Sequence, residues 1–318
     1  MGQGSEGDMA DPTTSLRMGA AEWGLLLLLA LLWAGSFFFY KVLVSALPPF
    51  TVVCGRVLIA ALLLNAVILA RGGRPPTQPR LWAAFFVMGL LNNVVPYSLI
   101  VLGETKVSSG LASILNATTP MFTVVVAQLS TADEKLDGAK IAGLVTGFVG
   151  VMVLVGPGTL AGVGRGDVLG EVAVLGASFS YGMAGVFGRR FRGVPPITVA
   201  ASQLTASACM ALPLCCLVDR PWTLPMPHAG IWAALIGLAV PSTAIAYLLF
   251  FRILARAGAT NVSLVTLLVP VGAVLLGAWA LGETLPPSAW VGVVIIAVGL
   301  ACLDGRPLSW LGLRAEPA

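Results

Sequence analysis

Polar positions in this chain come in short clusters, separated by long apolar runs. Nine runs carry no charged residue: 23–40, 81–103, 107–132, 141–164, 172–188, 193–218, 221–251, 257–282 and 284–303. A tenth, 51–70, carries one, Arg56. About 20 apolar residues cross a bilayer as a helix, so each run suffices, alone or with a few flanking residues. The pattern predicts an all-α integral membrane protein with ten transmembrane helices. A soluble chain would need ten wholly buried helices and almost no surface.

The runs also repeat. SSGLASILNATTP, ending at Pro120, has an echo 150 positions on in GATNVSLVTLLVP, ending at Pro270. In that register Asn116 falls on Thr266 and Tyr97 on Tyr247. Pro196-Ile197-Thr198 matches Pro49-Phe50-Thr51 at an offset of 147, which sets Gln203 opposite Arg56. Gly143 and Gly150 fall on Gly292 and Gly299, and Gly143 with Gly147 forms a small-residue pair suited to close helix contact. Five spans per repeat is an odd number, so the two five-helix repeats are inverted in the membrane. Inverted repeats are a transporter architecture, with the site at their interface near the midplane. The chain divides into a tail at 1–22, a first repeat at 23–156, a connecting loop at 157–166, a second repeat at 167–303 and a tail at 304–318. The first tail, polar and acidic, reads as disordered.

Composition agrees with this class: 58% of residues are hydrophobic and 10% charged, against about 25% charged in a soluble domain. The place of the positive charge matters more than the net +4. With the N-terminus inside, only Lys106, Arg165 and Arg220 fall in outer loops and Lys41 and Arg56 within spans. The remaining 13 of the 18 Lys and Arg residues lie inside. That bias puts both termini in the cytoplasm of a multi-pass protein of the cell (inner) membrane. The five cysteines all fall inside spans, which suggests no disulfide framework.

Candidate chemistry begins with proline. It lacks an N–H, so in a helix the carbonyl four residues back loses its partner. Pro120 and Pro270 free the carbonyls of Asn116 and Thr266, Pro96 frees that of Asn92, and Pro241 is a fourth helix-breaking proline. Orphan acceptors are costly in lipid unless they line a cavity or pack on protein. Asn92, Asn93, Tyr97, Asn116, Tyr181, Tyr247 and Thr266 therefore either bond helices together or line a substrate cavity. Trp33, Phe37 and Lys41 are four apart and share a face. This is an apolar wall ending in a cation, suited to an amphiphilic anion or zwitterion, although Lys41 also fits snorkelling to headgroups. Arg56 sits deeper, and either gates or lines the outer cavity or bonds to a neighbouring helix. Gln203 reads as a packing residue. Thr118, Thr119 and Ser263 read as bonding back to their own helix.

No carboxylate lies near the middle of any span, whereas membrane proton relays use embedded Asp, Glu or His. Glu104, near a helix end, is the remaining coupling candidate. The one histidine, His228, is in a loop. Glycine-rich phosphate loops, cysteine pairs at zinc spacing and nucleophile elbows are absent. Hence no cofactor, metal, ATP-driven step or nucleic-acid partner is implied. The expected partners are a small-molecule substrate and the bilayer, with a coupling ion and a homodimer left open. A lipid-handling protein or membrane-embedded enzyme is the alternative to a secondary transporter.

WAGSFFFYK, ALPPFTVVCGR and SGLASILNATTPMFTVVVAQ resemble the drug/metabolite transporter superfamily, specifically proteins with two EamA-type repeats. So does GLAVPSTAIAYLLFFRILARAGATNVSLVTLLVPVGAVLLGAWALGETL. The resemblance covers roughly 22–303. It implies ten helices and a cavity lined by the first, third, fourth, sixth, eighth and ninth spans. It further implies an exporter of small metabolites, amino acids or amphiphilic compounds. Two features depart from the family pattern: TADEKL in place of a Gly-Glu pair, and SFSYG where a tryptophan is common.

Overall fold

The computed structural model describes residues 18–107, 109–130, 138–156, 163, 168–281 and 287–304, and among them every regular element is helical. Proline opens several of these helices. Its fixed φ suits the first turn, where its missing N–H would have had no partner. The first two spans are α1 (Ala20–Leu43) and α2 (Pro49–Ala70). The third is α3 (Pro79–Gly89), a π-helical turn (Leu90–Val94) and α4 (Val95–Glu104). The fourth is α5 (Ser109–Asn116) and α6 (Thr119–Ser130), and the fifth is α7 (Gly138–Val155).

The second repeat follows the same plan. Its first two spans are α8 (Val168–Gly188) and α9 (Pro196–Leu214), the latter extended by a π turn (Cys215–Asp219). The eighth span is α10 (Ala229–Ala239), a π turn (Val240–Ile245) and α11 (Ala246–Ser263). Inside α11, Gly258 has φ 85° and ψ 174°. Only glycine takes that backbone readily, so the chain turns there and the ninth span begins, continuing as α12 (Val265–Leu281). The tenth is α13 (Pro287–Asp304). The protein is all-α, with ten apolar spans in two five-helix repeats.

The π turns of the third and eighth spans begin at Leu90 and Val240, 150 positions apart. Each adjoins a proline, Pro96 in the first turn of α4 and Pro241 within the second π turn. Widening the helix to i→i+5 bonding absorbs the missing amide.

Packing follows side-chain size. α7 lies along α13, and a Cβ at Gly299 would come within 2.5 Å of the Gly147 nitrogen and 2.8 Å of the Gly143 carbonyl. In the same way α2 packs on α9, α1 on α12, and α4 and α6 on α8. Large apolar side chains such as Leu62, Leu69 and Val294 face outward, as lipid contact requires.

The first helix begins at Ala20, ahead of the uncharged run, where Glu22 accepts from the Gly19 N–H at 3.0 Å and pairs with Arg256 at 3.2 Å. One expectation changes: the fourth span is not one helix with a proline inside. It breaks between Asn116 and Thr119, and Pro120 is the second residue of a fresh helix. The TADEKL segment and the connecting loop at 157–166 lie outside the described residues, Val163 excepted.

Candidate functional site

Arg56 stands about two turns inside α2 and is only 3% exposed. A guanidinium at that depth is costly unless its donors are met. Nε donates to Thr243 Oγ1 at 2.6 Å, one terminal nitrogen donates to the Tyr40 hydroxyl, and the other donates to the Ser242 carbonyl at 3.2 Å. The guanidinium carbon lies 3.8 Å from the Tyr97 ring centre and 5.4 Å from that of Tyr40. These partners are all neutral, and among the described residues no carboxylate pairs with Arg56.

The position opposite Arg56 in the second repeat is Gln203, whose Oε1 accepts from Asn92 Nδ2 at 3.4 Å. Ser242 and Thr243 match Asn92 and Asn93 at the offset of 150. The second span of each repeat thus bonds to the π turn of the other repeat's third span. One crossing carries a cation and the other carries neutral amides.

Beside Arg56 the matched tyrosines meet, with the Tyr97 and Tyr247 hydroxyls 2.7 Å apart. Tyr247 donates to Asn93 Oδ1, and the Asn92 carbonyl lies 3.1 Å away. Since Tyr247 spends its one proton there, Tyr97 donates to Tyr247. The carbonyl that Pro96 frees therefore lies 3.1 Å from a hydroxyl of the other repeat, whose proton goes to Asn93. Asn93 also donates to Ser207 Oγ at 2.7 Å.

A cavity of about 750 Å³, counting its open part, lies against this network. All four tyrosines of the chain line it: Tyr40, Tyr97, Tyr181 and Tyr247. Arg56, Asn92, Asn116 and Thr266 face it, as do Trp33 and Phe37. Trp33 packs edge-on to Tyr247 at 6.4 Å and against Phe250 at 5.8 Å, which ties α1 to α11. Walls come from the first four spans of the first repeat and from the sixth, eighth and ninth spans. Two polar atoms of this lining, Asn116 Oδ1 and Ser36 Oγ, are buried without a hydrogen-bond partner.

Other expected site residues lie elsewhere. Asn93 is fully buried behind the lining, and Glu104 sits at the end of α4, outside the cavity, with Oε1 unpartnered. The side chain of Lys41 lies outside the described residues. Among the described residues, the cation that lines the cavity with Trp33 and Phe37 is Arg56. The proline argument needs revision at Asn116: its carbonyl accepts from Thr119 Oγ1 at 2.7 Å, as that of Leu115 does from Thr118 Oγ1 at 2.6 Å. These hydroxyls hold the break between α5 and α6, so it is the Asn116 side chain and not its carbonyl that is left open. Pro270 does lie inside α12, while Thr266 Oγ1 turns back to the Ser263 carbonyl at 2.9 Å.

Sequence reasoning missed Ser36, Tyr40, Ser242, Thr243, Thr123 and Phe250. A signal existed for the first two. Residues 33, 36, 37 and 40 stand at i, i+3, i+4 and i+7 on one helix face. Ser242 and Thr243 could have been found by carrying Asn92 and Asn93 forward through the repeat. Thr123 and Phe250 had no such signal.

The profile of the EamA-like transporter family matches the chain twice, over residues 22–156 and 168–303. The uncharacterized inner membrane transporter YedA of Escherichia coli K12 is 31% identical over 290 residues, 88% of this chain and 90% of YedA. The uncharacterized transporter YoaV of Bacillus subtilis 168 is 26% identical over 271 residues, 85% of this chain and 92% of YoaV. One solved crystal structure superposes at a TM-score of 0.72 with 21% identity, over 89% of this chain and 97% of that one. At that identity the likeness speaks for the fold alone. Two repeats around a shared polar cavity, and two family matches with the same division, lead to one conclusion: the chain belongs to the EamA-like transporter family.

Proposed function

We propose that this protein is a secondary transporter that exports small metabolites, amino acids or amphiphilic compounds by alternating access. The observation that carries this reading is the cavity itself. It lies between two inverted halves and draws its polar lining from both. The Tyr97–Tyr247 contact and the Arg56 crossing are polar bonds between the halves beside the cavity, so rocking the halves apart would remake them. Asn92, Asn116, Tyr181 and Thr266 are assigned to substrate contact, with Trp33 and Phe37 as the apolar wall. Arg56 is assigned to binding and gating, and Glu104 to coupling. The direction of export rests on the family resemblance, and the placement of both termini in the cytoplasm on the bias of Lys and Arg between the loops.

The test is flux. Purified protein in liposomes should move labelled amino acids or aromatic acids down a gradient without ATP, faster than protein-free vesicles. A strain lacking the protein should accumulate the same compounds, and an overexpressor should release them. Flux no faster than in empty vesicles, from a folded protein and across amino acids, organic acids and amines, would defeat the proposal.

A further inference from the structure

Arg56 brings a buried positive charge to the wall of the cavity, and every partner it has is neutral. A guanidinium has five N–H donors, and three are used. One remains on each terminal nitrogen, and a carboxylate's two oxygens can accept such a pair. An incoming anion would be stabilised strongly in these apolar surroundings, and a cation repelled. The same cavity has aromatic walls: Trp33, Phe37 and Phe250. Asn116 Oδ1 adds an acceptor, 92% buried by residue and without a partner. An empty acceptor at this depth is a standing cost that a ligand's N–H or O–H removes.

Resting on the transporter reading of this cavity, we propose that its ligand is an organic carboxylate with an aromatic-sized apolar body. The carboxylate sits on Arg56, and a hydrogen-bond donor on the ligand meets Asn116. Two kinds of molecule share this chemistry, aryl carboxylates with an ammonium group and those without one. Asn116 favours the former.

Three probes with one phenyl body separate the contributions: L-phenylalanine, 3-phenylpropionate and phenethylamine. Binding is measured at equilibrium on purified full-length protein, with thermal stability followed alongside. Both carboxylates should bind, phenylalanine more tightly, and phenethylamine should not. Arg56→Gln should weaken both carboxylates by about tenfold or more, the scale of a hydrogen bond to a charged group. Asn116→Leu should erase the advantage of phenylalanine over 3-phenylpropionate. Should Arg56→Gln fail to fold, Arg56→Lys keeps the charge without the fork. It should weaken carboxylate binding while still excluding the amine. Phenethylamine binding as well as 3-phenylpropionate overturns the assignment, as does a folded Arg56→Gln protein with unchanged carboxylate affinity. Equal binding of the two carboxylates overturns the role of Asn116. If neither carboxylate binds but other solutes still cross the vesicles, the ligand class fails and the transporter reading stands.

Discussion

The hydroxyl of Tyr97 lies 2.7 Å from that of Tyr247, its counterpart 150 residues later, so the internal repeat closes on itself through one hydrogen bond. The two tyrosines play unequal parts. Tyr97 gives one proton to Tyr247, whereas Tyr247 also serves Asn93 and lies close to the Asn92 carbonyl.

Tyr247→Phe should therefore cost more than Tyr97→Phe. Removing the Tyr247 hydroxyl strips partners from buried groups on two residues, Tyr97 and Asn93, which costs about 1–3 kcal/mol for each donor or acceptor left bare. Tyr97→Phe takes one donor from Tyr247, which keeps its bond to Asn93. Thermal unfolding of the single and double variants in detergent checks this. The double variant should be little worse than Tyr247→Phe alone, and full additivity would contradict a shared network.

Asn116→Leu should separate stability from transport. It replaces a buried amide whose Oδ1 has no partner with an apolar side chain of similar size. Unfolding stability should hold or rise by about 1 kcal/mol. Transport rate should fall. A variant that lost stability and kept full transport would make Asn116 a structural residue.

Pro120→Ala should have little effect on either measure. Pro120 lies in the first turn of α6, where alanine is also accepted, and the Thr118 and Thr119 hydroxyls hold the break. Thr119→Val should be the damaging change, since it leaves the Asn116 carbonyl without its hydroxyl partner. Unfolding and flux of the two variants, measured side by side, test the order.

Gly292→Ala should disrupt the contact between α7 and α13. An added Cβ would come within 2.5 Å of the Leu154 backbone, which cannot rotate away. Gly24→Ala serves as the control, with nothing within 4 Å. Yield and monodispersity in detergent should drop for the first and not for the second.

Reporter fusions at Arg74, Arg190 and the C-terminus should report cytoplasm, and one at Gly162 the outside. Glu104→Gln should leave binding unchanged, because the carboxyl lies outside the cavity, and abolish accumulation driven by a proton gradient.

The spans, their number and their repetition were open to reading from the sequence, because lipid imposes a local rule. A helix crossing hydrocarbon must be apolar along its whole length, so each span announces itself without reference to the others. The same rule made polar residues at depth conspicuous, and Asn92, Asn116, Tyr97, Tyr181, Tyr247 and Thr266 were found one by one. What they do to each other is not local. Asn92 and Asn116 looked alike in sequence, each an asparagine four residues before a proline. Tertiary packing joined the Asn92 amide to Gln203 of the other repeat, while a neighbouring threonine met the Asn116 carbonyl and left the Asn116 Oδ1 open. Arg56 could equally have turned outward to headgroups. It turned inward because Thr243, Ser242 and two tyrosines, from three other spans, arrived around it. Hydropathy is a property of each residue, but the partner that satisfies a buried polar group comes from another span, and only the fold brings it there.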